Sequence, residues 1–169
     1  VEIRVGNREI HGSGNDFHSG EAGNDFLYGG IGLDTMQGHS GADTYGYRDA
    51  NEFGDIIQDW IDTEDQLLFV GQAFGFAVGQ TLVAGTNFIA ATAPIATGTG
   101  PAFLWDTDDT ALYFDADGTG AAAAVLVVDM QAFTNLTVAD ITFSAPAEDP
   151  DGKDVPVMED LFRDEFAFD

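Results

Sequence analysis

The chain has no cysteine, so neither a disulfide framework nor a thiolate metal cage can hold it together. Basic residues are nearly as scarce, with 5 Lys and Arg against 30 Asp and Glu, for a formal net charge of −25. Phosphate binding rests on Lys and Arg, so nucleic acid is excluded as a partner and anionic membranes are disfavoured. The apolar stretch 82–95 is short and broken by Gly, Thr and Pro, which leaves no membrane span. Val1-Glu2-Ile3-Arg4 offers no apolar core of a signal peptide. There is no nucleophile elbow and no H-E-x-x-H helix, and the acids are too many for a catalytic pair to stand out. The chain is read as non-catalytic, and as the C-terminal piece of something longer.

What is present argues for a fold. Hydrophobic residues make up 44% of 169, with 14 Phe among them, too many for a disordered polyanion. Near the start, one nine-residue phrase occurs four times in register: His11-Gly-Ser-Gly-Asn-Asp16-Phe-His-Ser, Gly20-Glu-Ala-Gly-Asn-Asp25-Phe-Leu-Tyr, Gly29-Gly-Ile-Gly-Leu-Asp34-Thr-Met-Gln and Gly38-His-Ser-Gly-Ala-Asp43-Thr-Tyr-Gly. Gly14, Gly23, Gly32 and Gly41 fall nine apart, as do the aspartates two residues after each.

This phrase resembles the G-G-x-G-x-D-x-U-x nonapeptide of the RTX, or haemolysin-type, calcium-binding proteins, with U a large apolar residue. The resemblance implies a short right-handed parallel β-roll with Ca²⁺ as its cofactor. The physics of the repeat agrees. Glycines permit the positive φ angles of a tight loop, and alternation in the following strand turns the U residue inward. Two repeats close one turn, so loop n lies over loop n+2, about 4.8 Å away. Ca²⁺ takes six to eight oxygens at about 2.3–2.6 Å and can bridge two such loops through carboxylates and carbonyls. Asp16 is expected over Asp34 on one edge, and Asp25 over Asp43 on the other. Gly14, Gly20, Gly23, Gly29, Gly30, Gly32, Gly38 and Gly41 form the loops and supply carbonyl ligands.

The ends of the array read differently. Gly6-Asn-Arg8-Glu-Ile10 looks like a worn repeat, with Arg8 near Asp25 standing in for a metal as a cap. Downstream the glycines are lost and the roll is read as ending there, with Asp49, Asn51 or Glu52 as candidates to complete a last site against Asp34. His18 breaks the pattern by filling a U position where the others carry Leu27, Met36 and Tyr45. A transition-metal site with His11 and His39 is weighed against one inward histidine and two loop ones, and the second reading is preferred for want of cysteine or H-E-x-x-H.

From Phe53 the period changes. Asp55-Ile-Ile-Gln-Asp59-Trp60 and Gln66-Leu-Leu-Phe-Val70 read as strands around a turn at 62–65, and further strands are expected at 82–84, 88–91, 102–105, 111–114, 123–128 and 140–143. Asp55-x-Ile57-x-Asp59-Trp60, Asp65-x-Leu67-x-Phe69, Asp115-Ala-Asp117-Gly118-x-Gly120 and Leu136-Thr-x-x-Asp140-Ile141 resemble the segments after the repeats in serralysin-type proteases and related type I secreted proteins. That resemblance covers roughly 6–143 and implies an all-β fold: the β-roll packed on an antiparallel β domain. It also implies export by an ABC-type type I secretion machine and folding outside a bacterial cell. Asp115 to Gly120 is not an EF-hand, because the twelfth position is Leu126 rather than Glu. It is read as a hairpin turn, with a peripheral Ca²⁺ site near Asp106, Asp108 and Asp109 as the other reading. Asn135-Leu-Thr137 is a sequon by pattern only.

The expected organisation is a β-roll at 1–52, an antiparallel β domain at 53–143 and an acidic linker with an amphipathic tail at 144–169. In the tail Val157, Met158, Leu161, Phe162 and Phe166 share one helical face. A short docking helix and an uncleaved secretion signal both remain open, and the final Asp169 departs from the family's ending. Two functions compete: a secreted calcium-dependent folding and export module, or a binding module for a glycan or surface, as in adhesins or as an accessory domain of a secreted hydrolase or epimerase.

Overall fold

The computed structural model describes the backbone of residues 3–4 and 8–10, and residues 13–131 and 135–145 in full. Arg8's side chain, His11 and the whole 146–169 tail therefore lie outside the described residues. The first strands are β1 (Ile3–Arg4), β2 (Arg8–Ile10), β3 (Phe17–Ser19), β4 (Phe26–Tyr28), β5 (Thr35–Gln37) and β6 (Thr44–Tyr47). After them come β7 (Asp55–Ile57), β8 (Gln66–Val70), β9 (Phe88–Ala91), β10 (Ala102–Asp106), β11 (Ala111–Asp115), β12 (Val125–Met130) and β13 (Ile141–Ser144). No strand forms at 82–84, where Ala84 makes only a single bridge to Phe88.

Successive repeats alternate between two sheets. One sheet runs β1-β2-β4-β6-β8-β13 and the other β3-β5-β7-β12-β11-β10-β9. Each repeat is half loop and half three-residue strand, so the chain crosses to the other sheet every nine residues and stacks on itself every eighteen. The U positions then fall into two inward columns. Leu27 pairs with Tyr45, Tyr45 with Leu67 and Leu67 with Ile141; His18 pairs with Met36 and Met36 with Ile57, which in turn pairs with Met130. All of these are buried, His18 at 0% exposure. The inward reading of His18 is the one the structure supports.

The second half prolongs both sheets. β13 adds in parallel to β8, and β12 in parallel to β7. Beyond β12 the order turns antiparallel through β11 and β10, with a bulge at Leu112/Tyr113, and ends in β9 parallel to β10. The antiparallel hairpins thus continue one layer of the parallel roll, and β13 alone extends the other. Between the layers lie Tyr47, Phe53, Phe69, Phe74, Phe76, Phe103, Phe114 and Phe143, in ring pairs such as Phe69–Phe103 at 4.7 Å and Phe76–Phe143 at 4.6 Å. Each buried ring contributes about 1.5–3 kcal/mol by removal from water. This core holds the repeat edges in register without a disulfide. Among the described residues no helix is long and apolar enough to cross a membrane.

Candidate metal centre

The predicted stacking of aspartates is present, and it is longer than the repeats. The backbone N–H of Asp16 donates to Asp34 Oδ1 at 2.7 Å, and that of Asp34 donates to Asp55 Oδ1 at 2.9 Å. On the other edge Asp25 N–H donates to Asp43 Oδ1 at 2.8 Å, and Asp43 N–H to Asp65 Oδ1 at 2.9 Å. The carbonyls follow suit, since Asp16, Asp25, Asp34 and Asp43 accept from the N–H of Thr35, Thr44, Ile56 and Gln66. Each edge is therefore a ladder of three carboxylates. Asp34, Asp43 and Asp55 are 1% exposed, Asp65 2% and Asp25 8%.

Glycine is required where the loops press together. A Cβ on Gly32 would collide with the carbonyl oxygen of Gly14, and one on Gly41 with that of Gly23; both glycines hold φ angles, +156° and +132°, that side chains rarely adopt. Gly14 N–H donates to Ile31 O and Gly23 N–H to Ser40 O, while Asn15 and Asn24 accept from Leu33 and Ala42 N–H in the same layers. At the second loop position Gly30 has φ 89°, but Glu21 and His39 take the same left-handed conformation at 72° and 67°. The first glycines shape the cradle itself. A Cβ on Gly20 would sit 2.9 Å from Asp25 Oδ2 and 3.0 Å from Gly38 O. One on Gly29 would meet Asp34 Oδ2 at 2.5 Å, and one on Gly38 would strike Asp43 Oδ2.

Buried like charges at this spacing resist ionisation. Burial raises the Asp55 carboxyl to about 7, with the Asp34 charge adding to the push. Asp65 rises to about 6, again through burial first and then the charges of Asp43 and Asp59. Asp43 is raised by burial, and further by Asp25 and Asp59, although the Asp25 N–H pulls it back. Asp43 Oδ2 is buried with no hydrogen-bond partner among the described residues.

These features fit a hard divalent cation. Stacked strands lie about 4.7–4.9 Å apart, twice a Ca–O distance of about 2.3–2.6 Å, and each cradle combines carboxylate and carbonyl oxygen. No three His, Asp or Glu side chains converge on one point among the described residues, so carbonyls and water must complete any coordination shell. A histidine site is not assembled there either. His18 is inside the core, whereas His39 approaches Ser19 Oγ at 3.0 Å and Asp59 at 3.6 Å.

The expected downstream partner of Asp34 needs correction. Asp49 caps the one-turn 3-10 helix Ala50–Glu52 by accepting the Asn51 N–H. Glu52 turns inward to accept Tyr28 Oη at 2.9 Å and the Arg48 N–H. That turn inserts the residues that carry the chain on to Asp55, which takes the place against Asp34. The period of nine does not lead to Asp55 and Asp65, because they stand 21 and 22 residues beyond their partners, not 18. The signal was nevertheless there, since Asp55-x-Ile57 and Asp65-x-Leu67 keep the D-x-U half of the phrase. At the upstream end β2 pairs Arg8 with Phe26, next to Asp25. β11 and β12 do pair as a hairpin, but through the longer connection 116–124, which opens with a local turn where Asp115 Oδ1 accepts the Gly118 N–H at 2.7 Å.

Residues 12–45 match the family model of the RTX calcium-binding nonapeptide repeat, in 4 copies. Among solved structures, the chain is similar to the solution structure of the AlgE6R3 subunit from the Azotobacter vinelandii mannuronan C5-epimerase. The two are 26% identical, the alignment covers 90% of this chain and 88% of that one, and the TM-score is 0.45. No curated protein sequence matches.

Proposed function

From the RTX calcium-binding repeats at 12–45 we propose that this chain is a calcium-dependent folding module of a larger secreted protein, exported unfolded and assembled outside the cell. The observation that carries the reading is the pair of buried carboxylate ladders. Folding without a cation would bring five buried aspartates together at strand spacing, on a chain of net charge −25, and self-repulsion opposes such compaction. Bound Ca²⁺ supplies the compensating charge. Asp16 and Asp34 would hold one ion and Asp25 and Asp43 another, with loop carbonyls of the glycine cradles and water completing each shell. Ion binding to the native state alone adds stability by mass action. A chain that meets little free calcium before export would stay unfolded and transportable. The likeness of 6–143 to type I secreted proteins supports the export step.

Isothermal titration calorimetry of the chelator-treated chain tests the binding half. Saturable Ca²⁺ uptake that Mg²⁺ does not reproduce is expected, since Mg²⁺ demands smaller, near-octahedral shells. Equal heats for both ions would sink the reading. Export is tested by co-expression with an ABC exporter, with recovery of the chain in the medium as the expected result.

One observation favours a second reading, a binding module. On the outer face of the antiparallel strands, a cavity of about 290 Å³ is lined by Pro94, Ile95, Leu104, Asp106, Tyr113 and Ala124. An aromatic ring beside a carboxylate on an apolar wall suits a sugar. Glycan-array binding lost in Tyr113→Ala would support that role, and a blank array would remove it.

A further inference from the structure

Two aspartates outside the nonapeptides do what the repeat aspartates do. Asp55 Oδ1 accepts the Asp34 N–H and Asp65 Oδ1 the Asp43 N–H, both at 2.9 Å, against 2.7 and 2.8 Å within the repeats. The strands that follow are in register too, with Ile57 against Met36 and Leu67 against Tyr45. The loop halves have changed, but the carboxylates and the spacing between rungs have not.

We propose that Asp55 and Asp65 extend the cation array past the repeats, Asp55 forming a further Ca²⁺ position with Asp34 and Asp65 another with Asp43. The inference rests on the repeats binding calcium. Three rungs on each edge leave two gaps, so the chain holds four ions where the repeat pairs alone account for two.

The observation that points to a ligand is Asp43. It is 1% exposed, its Oδ1 is committed upstream to Asp25, and its Oδ2 is buried with no hydrogen-bond partner among the described residues. That oxygen lies over the open face of Gly38, together with Tyr45 Oη, which a Cβ there would approach to 2.7 Å. Asp59 closes the loop from the far side, its carboxylate accepting the N–H groups of Gly38 at 3.0 Å and His39 at 2.8 Å. Asp65 Oδ2 accepts the Ile61 N–H at 2.8 Å, which fixes the carboxylate while each of its oxygens keeps a second lone pair. On the other edge Asp55, 1% exposed, stands beside the wholly buried Tyr47 hydroxyl. Oxygen ligands at one strand spacing make the same bridging geometry as the repeat rungs.

The test counts calcium in the whole chain by metal analysis after dialysis, for wild type, Asp55→Asn, Asp65→Asn and, as control, Asp16→Asn. The expected result is one ion lost in each variant. Unchanged counts in Asp55→Asn and Asp65→Asn, with a loss in Asp16→Asn, overturn the extension and leave the repeat sites standing. No loss in Asp16→Asn and no calcium in wild type would instead strike at the proposed function. Should the downstream variants not fold, ¹¹³Cd resonances of the wild-type chain decide the matter: four or more support the extension, and fewer overturn it.

Discussion

At the scale of single residues, the loops distinguish glycines that are replaceable from those that are not. Gly32 and Gly41 lie against the carbonyls of Gly14 and Gly23 at positive φ, so Gly41→Ala should lower stability by about 2 kcal/mol or more in saturating calcium. The second loop position is the tolerant one, since Glu21 and His39 take there the left-handed conformation that Gly30 takes in the repeat between them. The glycine spacing was legible from the period of nine, whereas the collisions that enforce it at Gly32 and Gly41 are with the loop below, and Gly14 meets none. Glu52's place was not, because its partner Tyr28 is 24 residues away and nothing in the local pattern marks it.

At the scale of elements, the ladders make proton and calcium binding compete. The ordinary carboxyl value is 3.8, while folded Asp65 and Asp55 stand near 6 and 7. A raised folded-state value means that the native form binds protons more tightly than the unfolded chain. In the absence of metal, this contribution to stability is fully present below about pH 4 and is lost as pH rises through 6 and 7. Chelated protein should thus retain more β signal at pH 5 than at pH 7.5. Calcium needs the deprotonated carboxylates, so its affinity should run the other way and weaken from pH 7.5 to pH 5. Calorimetry at the two pH values checks the second trend and far-UV circular dichroism the first. The element pattern shows where sequence reading stops. Stacking of Asp16 on Asp34 and Asp25 on Asp43 follows from a strict period of nine, whereas Asp55 and Asp65 keep the ladder after the period has gone. What holds them in place is tertiary: the core columns that pair Ile57 with Met36 and Leu67 with Tyr45.

At the scale of the whole molecule, two forces of opposite sign meet in one pair of sheets. The aromatic core between the layers favours folding at any calcium level, and the stacked carboxylates on the edges oppose it until cations arrive. Sequence alone could foresee an all-β chain from alternation and turn residues, and a roll at its start from the resemblance of its repeat to the RTX nonapeptide. It could not foresee that β12 and β13 would join β7 and β8 to make the two halves continuous, since parallel pairing between strands 73 or more residues apart leaves no local trace. Phe103→Ala, at the centre of that shared core with 0% exposure, should cost about 3–5 kcal/mol. The loss should appear in calcium-loaded protein as a lower thermal midpoint while the calcium count stays the same.

The most direct test of the calcium-dependent fold is far-UV circular dichroism of chelator-treated protein during Ca²⁺ titration, with Mg²⁺ and an Asp25→Asn/Asp34→Asn variant alongside. The account predicts a calcium-specific passage from coil to β structure that the variant makes weaker and shifts to higher calcium. Full β structure in chelator, unmoved by calcium and shared by the variant, would contradict it.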